Sequence, residues 1–153
     1  MFDNFREVAQ AVIQLKFEAM KYYIEAGRRT QDSLGREMFI TLAEDQKKNI
    51  ATIKDFAHSL EQKAAGTGGC DNCGSCLVSI PSLKELSGKI TSSQNSDDLS
   101  ALQMALEIET RAGDYFSGTA GECHCKCVRE FFSRINEDVQ RQISAITSIL
   151  EKN

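Results

Sequence analysis

With 153 residues and a formal net charge of -4, the chain has the size of one domain that can bury a real core, and its scattered basic residues exclude the electrostatic footprint of a nucleic-acid binder. A single Pro, no Trp and few aromatics fit an all-α protein better than a sheet protein. The start, Met-Phe-Asp-Asn-Phe-Arg-Glu, lacks the basic and apolar regions of a leader, and no apolar run approaches the roughly 18 residues of a membrane span. A soluble, cytoplasmic protein is expected, with neither membrane nor nucleic acid as a partner.

In chain order, Phe5, Val8, Val12, Ala19, Tyr23 and Ala26 recur at helical steps and predict a first helix over 5–26, with Lys16 in the middle of its apolar face. Gly27 and the polar run after it supply a turn, and Asp32 or Ser33 can cap a second helix from Leu34 to Ala65. That helix buries Phe39, Leu42, Ile50, Ile53 and Phe56, with Gln46 and Asn49 on the same stripe. Gly66-Thr-Gly-Gly69 ends it and leads into Cys70-Asp-Asn-Cys-Gly-Ser-Cys76. The stretch to Ser96, Ser-rich and carrying Pro81, is expected to cross over with only a short helix near Leu83 to Leu86. Asp97 and Asp98 cap a third helix, Leu99 to Phe116, with Glu109 among its buried residues. A turn containing Cys123-His-Cys-Lys-Cys127 precedes a fourth helix, Val128 to Leu150. His58 is a lone helical histidine expected at the surface.

The two halves repeat at one offset of 93 residues, at which Lys16 meets Glu109. At that offset Ala19 meets Ala112, Tyr22 meets Tyr115, Arg36-Glu37 meets Arg129-Glu130, Phe39 meets Phe132 and Glu44-Asp45 meets Glu137-Asp138. Ile50 and Ile53 both meet isoleucines. Amphipathic helices match Leu, Glu and Lys by chance, but not Arg-Glu-x-Phe and Glu-Asp together without a gap. A single domain over 1–153 is therefore predicted: hairpin 1 over 4–65, a crossover over 66–96 and hairpin 2 over 97–152, forming a ferritin-like four-helix bundle of two duplicated hairpins.

The stretch from Glu37 to Ile50, its echo from Glu130 to Ile143, the Tyr22-Tyr23 and Tyr115-Phe116 pairs and Asp97-Asp98-Leu-Ser-Ala-Leu102 resemble the rubrerythrin-related branch of the ferritin-like superfamily. The likeness covers both hairpins. It implies two irons held inside the bundle by a glutamate from each of two helices and a Glu-x-x-His from each of the other two, and a peroxidase-like or other oxidoreductase activity. This chain departs from that pattern. Lys16 stands at the first ligand position, Gln46 and Asn49 replace one Glu-x-x-His, Val139 and Gln142 replace the other, and only Glu109 remains. An ammonium beside the site repels a metal, so di-iron is disfavoured and an internal ion pair between Lys16 and Glu109 is expected, with Gln46, Asn49 and Gln142 as polar neighbours. A di-iron oxidoreductase with atypical ligands would draw on Glu18, Glu44, Glu107 and Glu137, each two residues from a ligand position. A step of two turns a helical side chain by about 200°, towards the outside.

Six cysteines in two tight clusters within a reducing compartment point to metal ligands or redox thiols before disulfides. A ferritin-like crossover makes the second and third helices parallel, so Cys70, Cys73 and Cys76 should lie beside Cys123, Cys125 and Cys127 at one end of the bundle, with His124 as a further candidate ligand. Cys70-x-x-Cys73-Gly74-x-Cys76 resembles the ferredoxin run that wraps an iron-sulfur cluster, although Ile80-Pro81 stands where a fourth cysteine would precede proline. Zinc competes equally, since a tetrahedral thiolate site needs four ligands and tolerates varied spacing. The expected function is a metal-binding or electron-transfer accessory protein, homodimeric and working with a redox partner protein. Alternatives are a zinc-stapled structural or interaction module and the di-iron oxidoreductase.

Overall fold

The computed structural model describes residues 2–65, 80–92, 97–122 and 126–152. Among them the chain forms five α-helices: α1 (Phe2–Arg29), α2 (Ser33–Ala65), α3 (Ile80–Ser92), α4 (Asp98–Glu122) and α5 (Lys126–Lys152). The protein is all-α over these residues, and none of the described helices is long and apolar enough to cross a membrane.

Helix α1 buries Val8, Val12, Leu15, Ala19 and Tyr23 at steps of three and four, and Arg28 and Arg29 in its last turn complement the helix dipole. The Thr30 amide and hydroxyl both donate to the Ala26 carbonyl, at 2.9 and 2.7 Å. This satisfies an acceptor that the helix end leaves open. Asp32 caps α2, its Oδ2 accepting from the Gly35 amide at 2.9 Å, and Asp97 caps α4 in the same way, its Oδ1 accepting from the Ser100 amide at 2.7 Å. That bond holds the exposed Asp97 carboxyl below its ordinary value. Asp98 does something else: its Oδ2 accepts from the Gln31 amide at 3.3 Å, so α4 starts beside the turn between α1 and α2.

This contact sets the direction of the helices. Short connections make α1 and α2 an antiparallel pair, and likewise α4 and α5. With α4 starting beside the start of α2, those two run the same way, and the end of α2 lies towards the start of α5. Phe56 of α2 and Phe131 of α5 stack there, with ring centroids 4.1 Å apart and planes 7° from parallel. Residues related by the offset of 93 make equivalent ring contacts. Tyr23 stacks on Phe39 at 6.3 Å and 28°, and Phe116 stacks on Phe132 at 5.9 Å and 26°.

Three expectations are corrected. The crossover helix is not a short piece near Leu83 to Leu86 but runs over Ile80–Ser92. Pro81, read as a breaker, sits in its first turn, where the missing N–H has no helical partner to lose. Leu83, Leu86 and Ile90 are buried as α3 packs mainly along α1, each contributing about 1.5–3 kcal/mol. Helix α4 continues past Phe116 to Glu122, because Thr119 and Ala120 extend its buried stripe. Helix α5 begins at Lys126, so Cys127 lies in its first turn and packs against the core instead of in a loop.

Candidate functional site

The four long helices bring to the interior all six residues that the resemblance sets at iron-ligand positions. Lys16 comes from α1, Gln46 and Asn49 from α2, Glu109 from α4, and Val139 and Gln142 from α5, each at most 6% exposed. Each lies on the apolar stripe of its helix, at the step of three or four that points inward: Lys16 between Val12 and Ala19, Glu109 between Ala105 and Ala112.

The contacts in this interior follow the internal repeat. Glu109 Oε1 accepts from the Tyr23 hydroxyl at 2.7 Å and from Gln46 Nε2 at 3.1 Å. The positions equivalent to Tyr23 and Gln46 in the second half are Phe116 and Val139. Phe116 faces Lys16 instead, with the ammonium nitrogen 5.3 Å from its ring centroid. Two donors thus converge on the carboxylate, and an aromatic face without a hydroxyl meets the cation. The sequence holds this signal, since the offset that pairs Lys16 with Glu109 also pairs Phe116 with Tyr23.

The expected contact between the two charges is not made. Among the described residues no carboxylate oxygen comes within 4.0 Å of Lys16 Nζ, and the pair is coupled through space. Burial dominates both titrations. It pushes the Lys16 ammonium below its ordinary value, against the pull of Glu109 and Asp45. It pushes the Glu109 carboxyl up, against Lys16 and the Tyr23 and Gln46 hydrogen bonds. The Tyr23 phenol is raised well above its ordinary value by burial and by the neighbouring carboxylate, so it stays a donor. Glu109 Oε2, Gln46 Oε1, Asn49 Oδ1 and Gln142 Oε1 are buried without a hydrogen-bond partner in the protein. Asn49 and Gln142 also line a cavity of about 310 Å³ between α2 and α5, beside Asp45 and Asp138.

This donor set does not fit a pair of irons. One carboxylate, three amide side chains, a valine and an ammonium cannot supply the anions that must neutralise at least four positive charges. Nor do the displaced glutamates supply it. Glu18 pairs with Lys21 at 3.1 Å and accepts from the Thr91 hydroxyl at 3.1 Å, while Glu107 pairs with Lys89. Both hold the crossover helix. Glu44 and Glu137 are exposed.

Cys70, Cys73, Cys76, Cys123, Cys125 and His124 lie outside the described residues. Cys127 is described, half-buried and a free thiol. The helix ends that flank the two cysteine segments, Ala65 of α2, Glu122 of α4 and Lys126 of α5, share one end of the molecule, as the Asp98 contact and the Phe56–Phe131 stack require. Among the described residues no three or more His, Cys, Asp or Glu side chains are grouped to hold a metal ion. Compared with protein-family models, with curated proteins and with solved structures, the chain gives no match.

Proposed function

We propose that the chain is a rubrerythrin-related, ferritin-like accessory protein that has exchanged an interior di-iron centre for a buried Lys16, Tyr23 and Glu109 cluster and holds its metal in cysteine thiolate at one end of the bundle. The observation that carries this reading is the lysine sealed in the interior at the position equivalent to Glu109. A cation there, backed by an aromatic face and a valine, is suited to a core that contains no metal. Support for the duplicated, ferritin-like architecture comes from the equivalent ring stacks at the offset of 93 and from the parallel course of α2 and α4.

The ligands in this reading are Cys70, Cys73 and Cys76 together with Cys123, Cys125 or Cys127, with His124 able to replace one thiolate. When bound, zinc would tie the crossover to the bundle and contribute stability outright, and an iron-sulfur cluster would carry one electron at a time. Thiolates suit both and suit hard cations poorly. The shared end of the flanking helices supports one combined site over two separate ones.

Anaerobic purification of the full chain with metal and sulfide analysis tests the proposal. Bound zinc, or iron with stoichiometric sulfide, is expected, and the metal should be lost when Cys70, Cys73 and Cys76 are all changed to Ser. Iron retained by that variant would overturn it.

A further inference from the structure

The outer face of the α1/α2 pair carries an apolar groove of about 500 Å³, within the range of about 300–1,000 Å³ typical of small-molecule sites. Its apolar lining includes Met20, Ile24, Ile40 and Ala43, and Arg28, Arg36 and Lys47 stand around it with Glu44 as the single acid. Ile24 is 41% exposed and Ile40 50% exposed. A lone exposed isoleucine needs no explanation, but here two line one depression.

The second half of the chain provides an internal control. At the offset of 93, Met20, Ile24, Ile40 and Ala43 become Gly113, Ser117, Ser133 and Asn136, and Lys47 becomes Gln140. There the space is filled. Gln140 Nε2 donates to Asn136 Oδ1 at 3.3 Å, and the two amides lie so close over Gly113 that a Cβ on it would meet them at 3.0 and 3.3 Å. A hairpin of this design therefore does not need an apolar outer groove. Among the described residues, α1 and α2 expose such a groove where the equivalent positions of α4 and α5 carry Gly, Ser and Asn.

We propose that this groove binds an anionic amphiphile, a free long-chain carboxylate, with its alkyl chain between Ile24 and Ile40 and its head at Arg28 and Arg36. Charge selects this occupant. Three cations against one carboxylate leave the lining with an excess of positive charge, which a carboxylate neutralises and a second copy of the same face would double. Arg36 is already oriented, its Nε and Nη2 donating to the Thr30 carbonyl at 3.3 and 3.0 Å, and Arg28 is held only by an exposed 3.6 Å pair with Glu25. Guanidinium groups also suit a carboxylate better than ammonium groups do.

Titration calorimetry of dodecanoate into the full chain, below its micelle concentration, tests this. Saturable binding at one site per chain is expected, at least tenfold tighter than for dodecyltrimethylammonium. Two variants install second-half residues: Ile24→Ser with Ile40→Ser removes the apolar walls, and Ala43→Asn with Lys47→Gln fills the groove. Each should weaken binding at least tenfold while helical circular dichroism is kept, and because they alter different residues one remains informative if the other fails to fold. Absence of saturable binding, equal affinity for the cationic amphiphile, or unchanged affinity in a folded variant would overturn the proposal. So would sedimentation showing a dimer that Ile24→Ser with Ile40→Ser dissociates, since a second copy would then be the occupant.

Discussion

Lys16 and Glu109 oppose the stability of the fold at neutral pH, and the sign of each shift says when. A carboxyl whose folded value is raised contributes stability that is present below its unfolded value of about 4.5 and lost as pH rises through the folded value. An ammonium whose folded value is lowered contributes stability present above about 10.5 and lost as pH falls through the folded value. At neutral pH both contributions are reduced, and the hydrogen bonds of Tyr23 and Gln46 and the ring of Phe116 offset the burial. Replacing both by neutral residues of similar shape, Lys16→Met with Glu109→Gln, should leave the protein as stable or more stable by about 1–4 kcal/mol, measured by urea denaturation at pH 7. Lys16→Met alone should cost about 3–5 kcal/mol, because Glu109 then lacks any counter-charge. Its carboxyl is pushed higher still, so that loss should shrink as pH is lowered towards 4.5. Tyr23→Phe removes a hydrogen bond to a charged group and should cost about 1.5–3 kcal/mol. If Tyr23→Phe has no effect on the urea midpoint, Glu109 is not held by that hydroxyl.

At the scale of elements, much was legible. Periodicity marked the four long helices because each carries a continuous apolar stripe, and Asp32 and Asp97 announced their caps through residue type alone. What was misread depended on position rather than composition. Pro81 stops a helix that it interrupts but starts one that it opens, and only the stripe of Leu83, Leu86 and Ile90 separates the two cases. The same crossover helix uses Glu18 and Glu107, which looked like solvated surface because α3 was not expected to lie over them. Leu86→Ala should therefore cost about 2–5 kcal/mol, as for a core leucine. Amide exchange in α3 should rise with it if the helix is docked, whereas an effect below about 0.5 kcal/mol would mean that α3 adds little to the fold.

For the whole molecule, the interior of the candidate site could be read before the structure was known. Lys16, Gln46, Asn49, Glu109, Val139 and Gln142 fall on helical stripes, and helices have only one inside. The detailed coupling could not, because a register pairs residues without fixing the distance between an ammonium and a carboxylate. The course of the helices brings the chain ends that flank both cysteine segments to one end of the bundle, with the lysine-sealed core behind them. The proposed cysteine site and the lysine-sealed core are two places where a metal could sit, and X-ray absorption at the metal edge of the metal-loaded full chain distinguishes them directly. Thiolate ligation predicts a coordination sphere dominated by sulfur at about 2.3 Å. A shell of oxygen and nitrogen at about 2.0–2.2 Å with no sulfur would put the metal among Glu109 and its neighbours and contradict it.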